Sequence, residues 1–275
     1  MKRLAVLGYP VGHSRSPAMQ GAALAELGLG EEWSYEAIEV APDAFEERVR
    51  AMPGEGFVGA NVTVPHKSAA LALADELSET AREIGAANTL VFTDGEELAA
   101  GGSGGVVIRA ENTDAEGLLR ALPGSPRGRR ALVLGAGGAA RAVVWALLRE
   151  GAAVAVWNRT ALRSRHLCEE LGGEPVDAPD QRAYELIVNT TAVGLAGEDP
   201  FAELPLVPHA FAAGQTVVDM VYGGSEPTAL LRAAGAAGAE TVEGIEILVQ
   251  QGALSLEIWT GRPPPLETMR AAARS

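Results

Sequence analysis

A single cysteine, Cys168, stands among 275 residues, which excludes an internal disulfide and a thiolate-built zinc site. It falls in a helical stretch after Thr160, where a half-buried, unreactive thiol is the expected reading. The four histidines are scattered without metal-ligand spacing, so no metal is expected. No apolar run approaches the roughly 20 residues that cross a bilayer. The N-terminal Met1-Lys2-Arg3-Leu4-Ala5-Val6-Leu7-Gly8 is too short in its apolar part for a signal peptide and has no small-residue cleavage site. It reads as a first strand, and a cytoplasmic protein with no membrane partner is expected. Positive charge is scarce as well: 22 Lys and Arg face 36 Asp and Glu, and the net charge of −14 argues against a nucleic-acid partner. An anionic small molecule would have to be held by local donors against that field.

What is present is a globular composition, 47% hydrophobic and 21% charged, in a chain long enough for two cores. Strand signals at 4–7, 34–40 and 57–64 alternate with helical stretches at 16–27, 43–50 and 66–77, a βαβ rhythm. A strand at 88–92 precedes the glycine-rich stretch 95–105, expected as a hairpin tip, before a strand resumes at 106–109. Pro123-Gly124-Ser125-Pro126-Arg127-Gly128 is the expected hinge. Beyond it, strands at 131–134, 153–157, 186–189, 216–219 and 240–242 and helices at 139–150 and 161–171 give a doubly wound parallel sheet in outline. The last apolar helical run, 245–259, is ended by Gly261 and the prolines from Pro263 to Pro265.

Local patterns carry the chemistry. Leu132-Val133-Leu134-Gly135-Ala136-Gly137-Gly138-Ala139-Ala140 is a buried strand running into G-x-G-x-x-A with a helix beyond. Gly135 allows the tight turn, Gly137 lets backbone approach a pyrophosphate, and Ala140 lets the helix pack on the strand. A plain strand-to-helix turn has the same letters. The next strand end, where an NAD site carries an acid, has Asn158-Arg159-Thr160 and then Arg163. Two guanidinium groups and a hydroxyl suit a 2′-phosphate, although an exposed basic helix start has the same composition. Gly12-His13-Ser14-Arg15-Ser16-Pro17 sets two hydroxyls beside a helix N-terminus, an anion site without formal charge. Its simpler reading is an N-cap by Ser16, with Pro17 where a missing N–H costs nothing. Finally, Gly59-Ala60-Asn61-Val62-Thr63-Val64-Pro65-His66-Lys67 puts a lysine in the first turn of a helix. The helix dipole disfavours a cation there, so folding supplies no reason for it.

Read with Asn88-Thr89 and Asn112-Thr113-Asp114, these patterns resemble the shikimate dehydrogenase family along nearly the whole chain. The resemblance implies an α/β substrate domain at 1–122, with 245–275 packing back on it, and a Rossmann-type NADP domain at 123–244. It implies reversible NADPH-dependent reduction of 3-dehydroshikimate to shikimate by a monomer or homodimer. Lys67 and Asp114 would be the catalytic pair: a ketone becoming an alcohol needs a proton as hydride arrives, and an ammonium steadied by a carboxylate can supply it. Ser14, Ser16 and Tyr222 would hold the substrate carboxylate, and Thr63, Asn88, Asp114 and Gln251 its ring hydroxyls. The cofactor would lie on Gly135, Ala136, Gly137, Gly138 and Ala139, with its 2′-phosphate on Asn158, Arg159, Thr160 and Arg163. Met220 and Gly244 would lie on its nicotinamide side, and Glu79 near it.

The sequence departs from the family's pattern at Ala110, where glycine is usual, in the glycine-rich 95–105, and in Asn189-Thr190-Thr191-Ala192-Val193-Gly194-Leu195, which lacks the usual Pro and Met. Rival readings are a broader quinate/shikimate dehydrogenase, an NADP-sensing regulator on the same fold, and a lysine-using folate dehydrogenase. A sensor needs neither Lys67 nor Asp114, and a pterin needs stacking rather than a small carboxylate site.

Overall fold

The computed structural model describes residues 1–94, 105–222 and 226–275, so the expected hairpin tip at 95–105 lies, but for Gly105, outside them. The chain divides into two compact units, Met1–Thr113 with Gln251–Ser275, and Asp114–Gln250.

Unit 1 runs β1 (Lys2–Gly8), α1 (Ser16–Glu26), β2 (Trp33–Glu39), α2 (Phe45–Ala51), β3 (Phe57–Val62), α3 (Lys67–Leu73), β4 (Glu76–Leu77), α4 (Glu79–Ile84), β5 (Thr89–Asp94) and β6 (Val106–Glu111). The strands form one sheet in the order β2-β1-β3-β5-β6-β4. It is mixed: β1 is parallel to β2 and β3, whereas β5 is antiparallel to both β3 and β6. Its core gathers Leu7, Phe45, Phe57, Val62 and Leu90.

Two local expectations fail here. The predicted helix 66–77 stops at Leu73, because Ala74 turns extended and Glu76–Leu77 add an edge strand parallel to β6. The Asp75 carboxylate fixes that edge by accepting the Ile108 N–H at 2.9 Å. Nor does Ser16 cap its helix. The helix includes Ser16 itself, no side chain caps it, and the Ser14 hydroxyl accepts the Ser16 N–H at 3.3 Å.

Unit 2 runs α5 (Asp114–Ala121), β7 (Arg130–Leu134), α6 (Gly138–Arg149), β8 (Ala153–Trp157), α7 (Ala161–Leu171), β9 (Glu174–Pro175), β10 (Leu186–Asn189), α8 (Pro200–Glu203), β11 (Thr216–Asp219), α9 (Ala229–Ala236) and β12 (Glu240–Glu243). All its strand pairs are parallel, in the order β12-β11-β10-β7-β8-β9. Parallel central strands must be apolar on both faces, and alternate residues do go to opposite cores. Ala131, Val133, Leu186 and Val188 pack with α6, while Leu132, Leu134 and Ile187 join Leu230 and Leu231 on the other side.

From β12 the chain enters α10 (Gly244–Thr260) and then α11 (Leu266–Arg274). Leu118 and Leu122 pack with Val133, Val143 and Leu147, which assigns α5 to unit 2. The expected hinge at 123–128 therefore lies inside unit 2, and the unit boundaries fall at Thr113/Asp114 and Gln250/Gln251. Among the described residues no helix is long and apolar enough to cross a membrane.

Candidate active site

In unit 2, β7 is followed by Gly135, whose φ of +115° is a conformation that L side chains rarely adopt. A Cβ there would also fall 2.5 Å from Thr190 Oγ1. Ala136 is half-buried, and a Cβ on the exposed Gly137 would meet open space. From Gly138 onward α6 has no capping side chain and no acid in its first turn. Half-buried Ala139 follows, and Ala140 is buried in the core behind. This backbone fits a pyrophosphate: unclaimed helix N–H groups, the positive dipole end, and room where a side chain would stand.

The end of β8 is basic and open. Asn158 Nδ2 donates to the Thr160 carbonyl at 2.9 Å, and the Arg163 N–H donates to the same oxygen at 2.9 Å, which shapes the turn into α7. The Arg159 side chain is 83% exposed and, among the described residues, pairs with a distant carboxylate, Glu203 at 3.7 Å. A cavity of about 480 Å³ adjoins it, lined by Trp157, Asn158, Arg159, Thr191 and Val193, with Glu198 and Glu203 also on its wall. Glu198 folds back on its own loop, accepting N–H groups of Gly194 (3.0 Å) and Ala196 (3.1 Å). Its own backbone N–H and these two hold its carboxyl below the usual range.

Where β10 and β11 end, Asn189 and Asp219 are register partners, and Asn189 Nδ2 donates to Asp219 Oδ1 at 2.9 Å. Asp219 also accepts the Val221 N–H (3.1 Å) and the Thr228 hydroxyl (2.6 Å), while Asn189 Oδ1 accepts the Thr191 N–H (3.1 Å) and hydroxyl (2.7 Å). One buried pair thus pins both loops that leave the strand ends. Burial pushes the Asp219 carboxyl up, against those hydrogen bonds. The Met220 N–H donates to the Asn189 carbonyl at 3.0 Å, and a Cβ on Gly244 would stand 2.6 Å from the Met220 oxygen, so only glycine fits there. Half-buried Tyr222 lines a second cavity of about 310 Å³ with Asp219, Thr228 and Arg232.

In unit 1, Thr63 follows β3, and its carbonyl accepts the His66 N–H at 2.9 Å, turning the chain so that α3 opens on half-buried Lys67. His66 is the anchor of this turn. It is buried, stacks on Phe45 with ring centroids 4.3 Å apart, and places Nε2 2.8 Å from the Val40 carbonyl. A carbonyl only accepts, so that nitrogen carries the proton, and burial holds the ring below the usual histidine range. The Lys67 carbonyl accepts the Ala87 N–H at 2.9 Å, which ties the lysine's backbone to the residue before Asn88. Asn112 Nδ2 donates to the Ala86 carbonyl at 2.9 Å, and two residues on the buried Asp114 opens α5.

Asn88 and Gln251 are brought into direct contact, and backbone groups fix which way their amides face. The Thr113 N–H donates to Asn88 at 2.8 Å, so that atom is Oδ1; Nδ2 then donates to Gln251 Oε1 at 3.1 Å. In the same way Asn61 Nδ2 meets the Asn88 carbonyl at 3.2 Å, which leaves Oδ1 for the Tyr35 hydroxyl at 2.7 Å. Thr89, Thr113 and Ser255 hydroxyls complete this buried cluster. Ser14 is half-buried and Ser16 buried at the start of α1. Glu79 is exposed in the first turn of α4, capped by Ser78, where a carboxylate suits the helix dipole on folding grounds alone. Asn61, Thr113, Ser255 and the Asn189–Asp219 pair were not singled out from sequence. Asn61 and Thr113 lie inside the motifs at 59–67 and 112–114 without a role of their own, and for the others the signal is a polar residue on an otherwise buried, apolar face.

A parallel sheet of this order, with a glycine turn into α6 and a basic end on the next strand, defines a dinucleotide-binding α/β protein. Residues 6–90 match the family model of the shikimate dehydrogenase substrate binding domain, 118–193 that of shikimate / quinate 5-dehydrogenase, and 244–274 that of the shikimate 5′-dehydrogenase C-terminal domain. The chain belongs to the shikimate dehydrogenase family. It is 44% identical over 282 residues to the shikimate dehydrogenase (NADP(+)) of Anaeromyxobacter dehalogenans, covering 97% of this chain and 94% of that one. The crystal structure of shikimate 5-dehydrogenase from Thermus thermophilus in complex with NADP(H) and shikimate is similar at TM-score 0.85 and 42% identity, over 100% of this chain and 99% of that one. That of shikimate dehydrogenase from Aquifex aeolicus has TM-score 0.89 at 34% identity, over 100% and 98%. The family and the two-part α/β fold expected from the sequence are both borne out.

Proposed function

We infer that this chain is an NADP-dependent oxidoreductase that interconverts 3-dehydroshikimate and shikimate, on the route to chorismate and the aromatic amino acids. The observation that carries this reading is the full-length similarity to an enzyme crystallised with both NADP(H) and shikimate. The end of β8, which carries Arg159 where an acid would stand, and the open glycine turn fit that cofactor.

NADPH, when bound, supplies the hydride. We propose that Lys67 Nζ gives the proton to the keto oxygen in the reductive direction and recovers it in the oxidative one, with Asp114 as its carboxylate partner. Thr63, Asn88, Asp114 and Gln251 would recognise ring hydroxyls, and Ser14, Ser16 and Tyr222 the carboxylate. Unit 1 would be the substrate domain and unit 2 the nucleotide domain, with boundaries at Thr113/Asp114 and Gln250/Gln251 in place of the expected 122/123 and 244/245. Gly135, Ala136, Gly137, Gly138 and Ala139 would hold the pyrophosphate, and Asn158, Arg159, Thr160 and Arg163 the 2′-phosphate. Met220 and Gly244 would flank the nicotinamide, with Glu79 nearby. The same reading makes it a cytoplasmic enzyme, monomeric or homodimeric, without nucleic-acid or membrane partners.

The test follows NADPH absorbance with shikimate, quinate and each nicotinamide cofactor in turn. Shikimate with NADP should react best. Quinate carries an extra hydroxyl on the carbon that bears its carboxylate, and a buried hydroxyl without a partner costs about 1–3 kcal/mol, so its kcat/KM should fall at least about tenfold. Similar values for the two would replace this assignment with the broader quinate/shikimate one.

A further inference from the structure

We propose that Ser255 is a positioning residue for substrate recognition, acting through Gln251 and its pairing with Asn88; this rests on the function inferred above. Ser255 lies four residues after Gln251 on α10, so the two share a helix face. It is fully buried, and its Oγ is in hydrogen-bond reach of four groups: the Gln251 carbonyl (3.0 Å), Asn61 Nδ2 (2.9 Å), Thr89 Oγ1 (2.9 Å) and Thr113 Oγ1 (3.1 Å). These partners come from α10 itself, β3, β5 and the segment after β6.

A serine inside an apolar helix usually spends its hydroxyl on the carbonyl one turn back. Ser255 does so, and that direction leaves its oxygen to accept from Asn61 Nδ2, which has no acceptor role to offer. The Asn61 amide is oriented at its other end by the Tyr35 hydroxyl. Polarity therefore runs one way, from Tyr35 and Asn61 into Ser255 and on to the backbone of Gln251. The hydroxyl sets the height and rotation at which α10 meets the sheet. Gln251 Oε1 then meets Asn88 Nδ2 rather than sliding past it. With both amides turned one way, the pair offers a fixed pattern of donors and acceptors to the ring hydroxyls of a polyol.

The experiment measures steady-state KM for shikimate and for NADP in four enzymes: wild type, Ser255→Ala, Gln251→Ala and the double variant, with thermal unfolding alongside. Wild-type turnover of shikimate with NADP tests the function itself; its absence would sink that reading before Ser255 is addressed. Ser255→Ala should raise KM for shikimate about tenfold, the scale of one lost net hydrogen bond, and leave KM for NADP within about twofold. In the Gln251→Ala background it should add no further rise, because the group it positions is gone. Additive losses, or equal rises for both ligands, would overturn the proposal and make Ser255 a packing residue. Should Ser255→Ala not fold, Ser255→Cys, slightly larger and only a weak S–H donor, enters the same cycle with the same criteria.

Discussion

Removing Arg159 separates recognition from folding more cleanly than any other change. Its side chain is 83% exposed, and its ion pair among the described residues is a 3.7 Å approach to Glu203, itself 44% exposed. Such pairs contribute about 0–1 kcal/mol, so Arg159→Ala should move the melting temperature by no more than about 4 °C. Cofactor binding is different. A charge-assisted hydrogen bond to a phosphate contributes about 1.5–3 kcal/mol, and truncating its donor weakens binding about 10- to 150-fold. Glu203 sharpens the effect: once Arg159 is gone its carboxylate faces the same cavity without that partner, and it repels a dianionic phosphate. The Kd for NADPH should therefore rise by one to two orders of magnitude while that for NADH stays within about twofold, as read by cofactor fluorescence titration. The gap should narrow at high salt. Equal weakening of both cofactors would refute the reasoning and make Arg159 a structural residue of the β8–α7 turn.

Lys67→Ala should lower kcat by a factor on the order of 10² to 10⁴ with a smaller change in KM, and a near-wild-type kcat would remove Lys67 from the chemistry. Asp114→Asn should also damage kcat, and the double variant should be far from additive; independent effects would separate the two residues. Ser16→Ala should weaken shikimate and spare NADPH, and since Ser16 caps nothing, loss of both in a kinetic assay would point to packing of α1. His66 predicts a pH dependence. Its folded pKa is lowered from 6.5 by burial, so the unfolded chain binds the extra proton first, and stability is lost as pH falls below 6.5. Denaturant titrations should show a slope of up to about 1.4 kcal/mol per pH unit below that point. His66→Gln, which keeps a donor for the Val40 carbonyl, should flatten it; an unchanged slope would assign the effect to other groups.

The nucleotide unit was legible because its strands state their burial outright: 131–134 is apolar on both faces, and glycine follows where φ must be positive. The basic end of β8 was legible through the missing acid. Other elements were hidden for physical reasons. Glu76–Leu77 becomes a strand only because the edge of β6 is there to pair with, and nothing in an alanine-rich run announces that. The prolines that end α10 also begin α11, since Pro265 stands just before its first turn. The amide cluster was illegible for a different reason. Its bonds join residues 163 and 194 positions apart, and no periodicity reaches that far.

The discontinuity of unit 1 fixes an order of events during synthesis. Its sheet is translated early, but the residues that close it follow the whole of unit 2: Ser255 on Thr89, Trp259 Nε1 on the Leu90 carbonyl at 3.0 Å, and α11 against α1. A nascent chain that has emerged as far as Gln250 can complete the parallel sheet of unit 2, while the polar cluster around Asn61 and Asn88 still lacks its α10 partners. Unit 1 therefore waits for Gln251 and the residues after it. The amide pair Asn88–Gln251 is among the last contacts of unit 1 to form, after the whole of unit 2 has been translated.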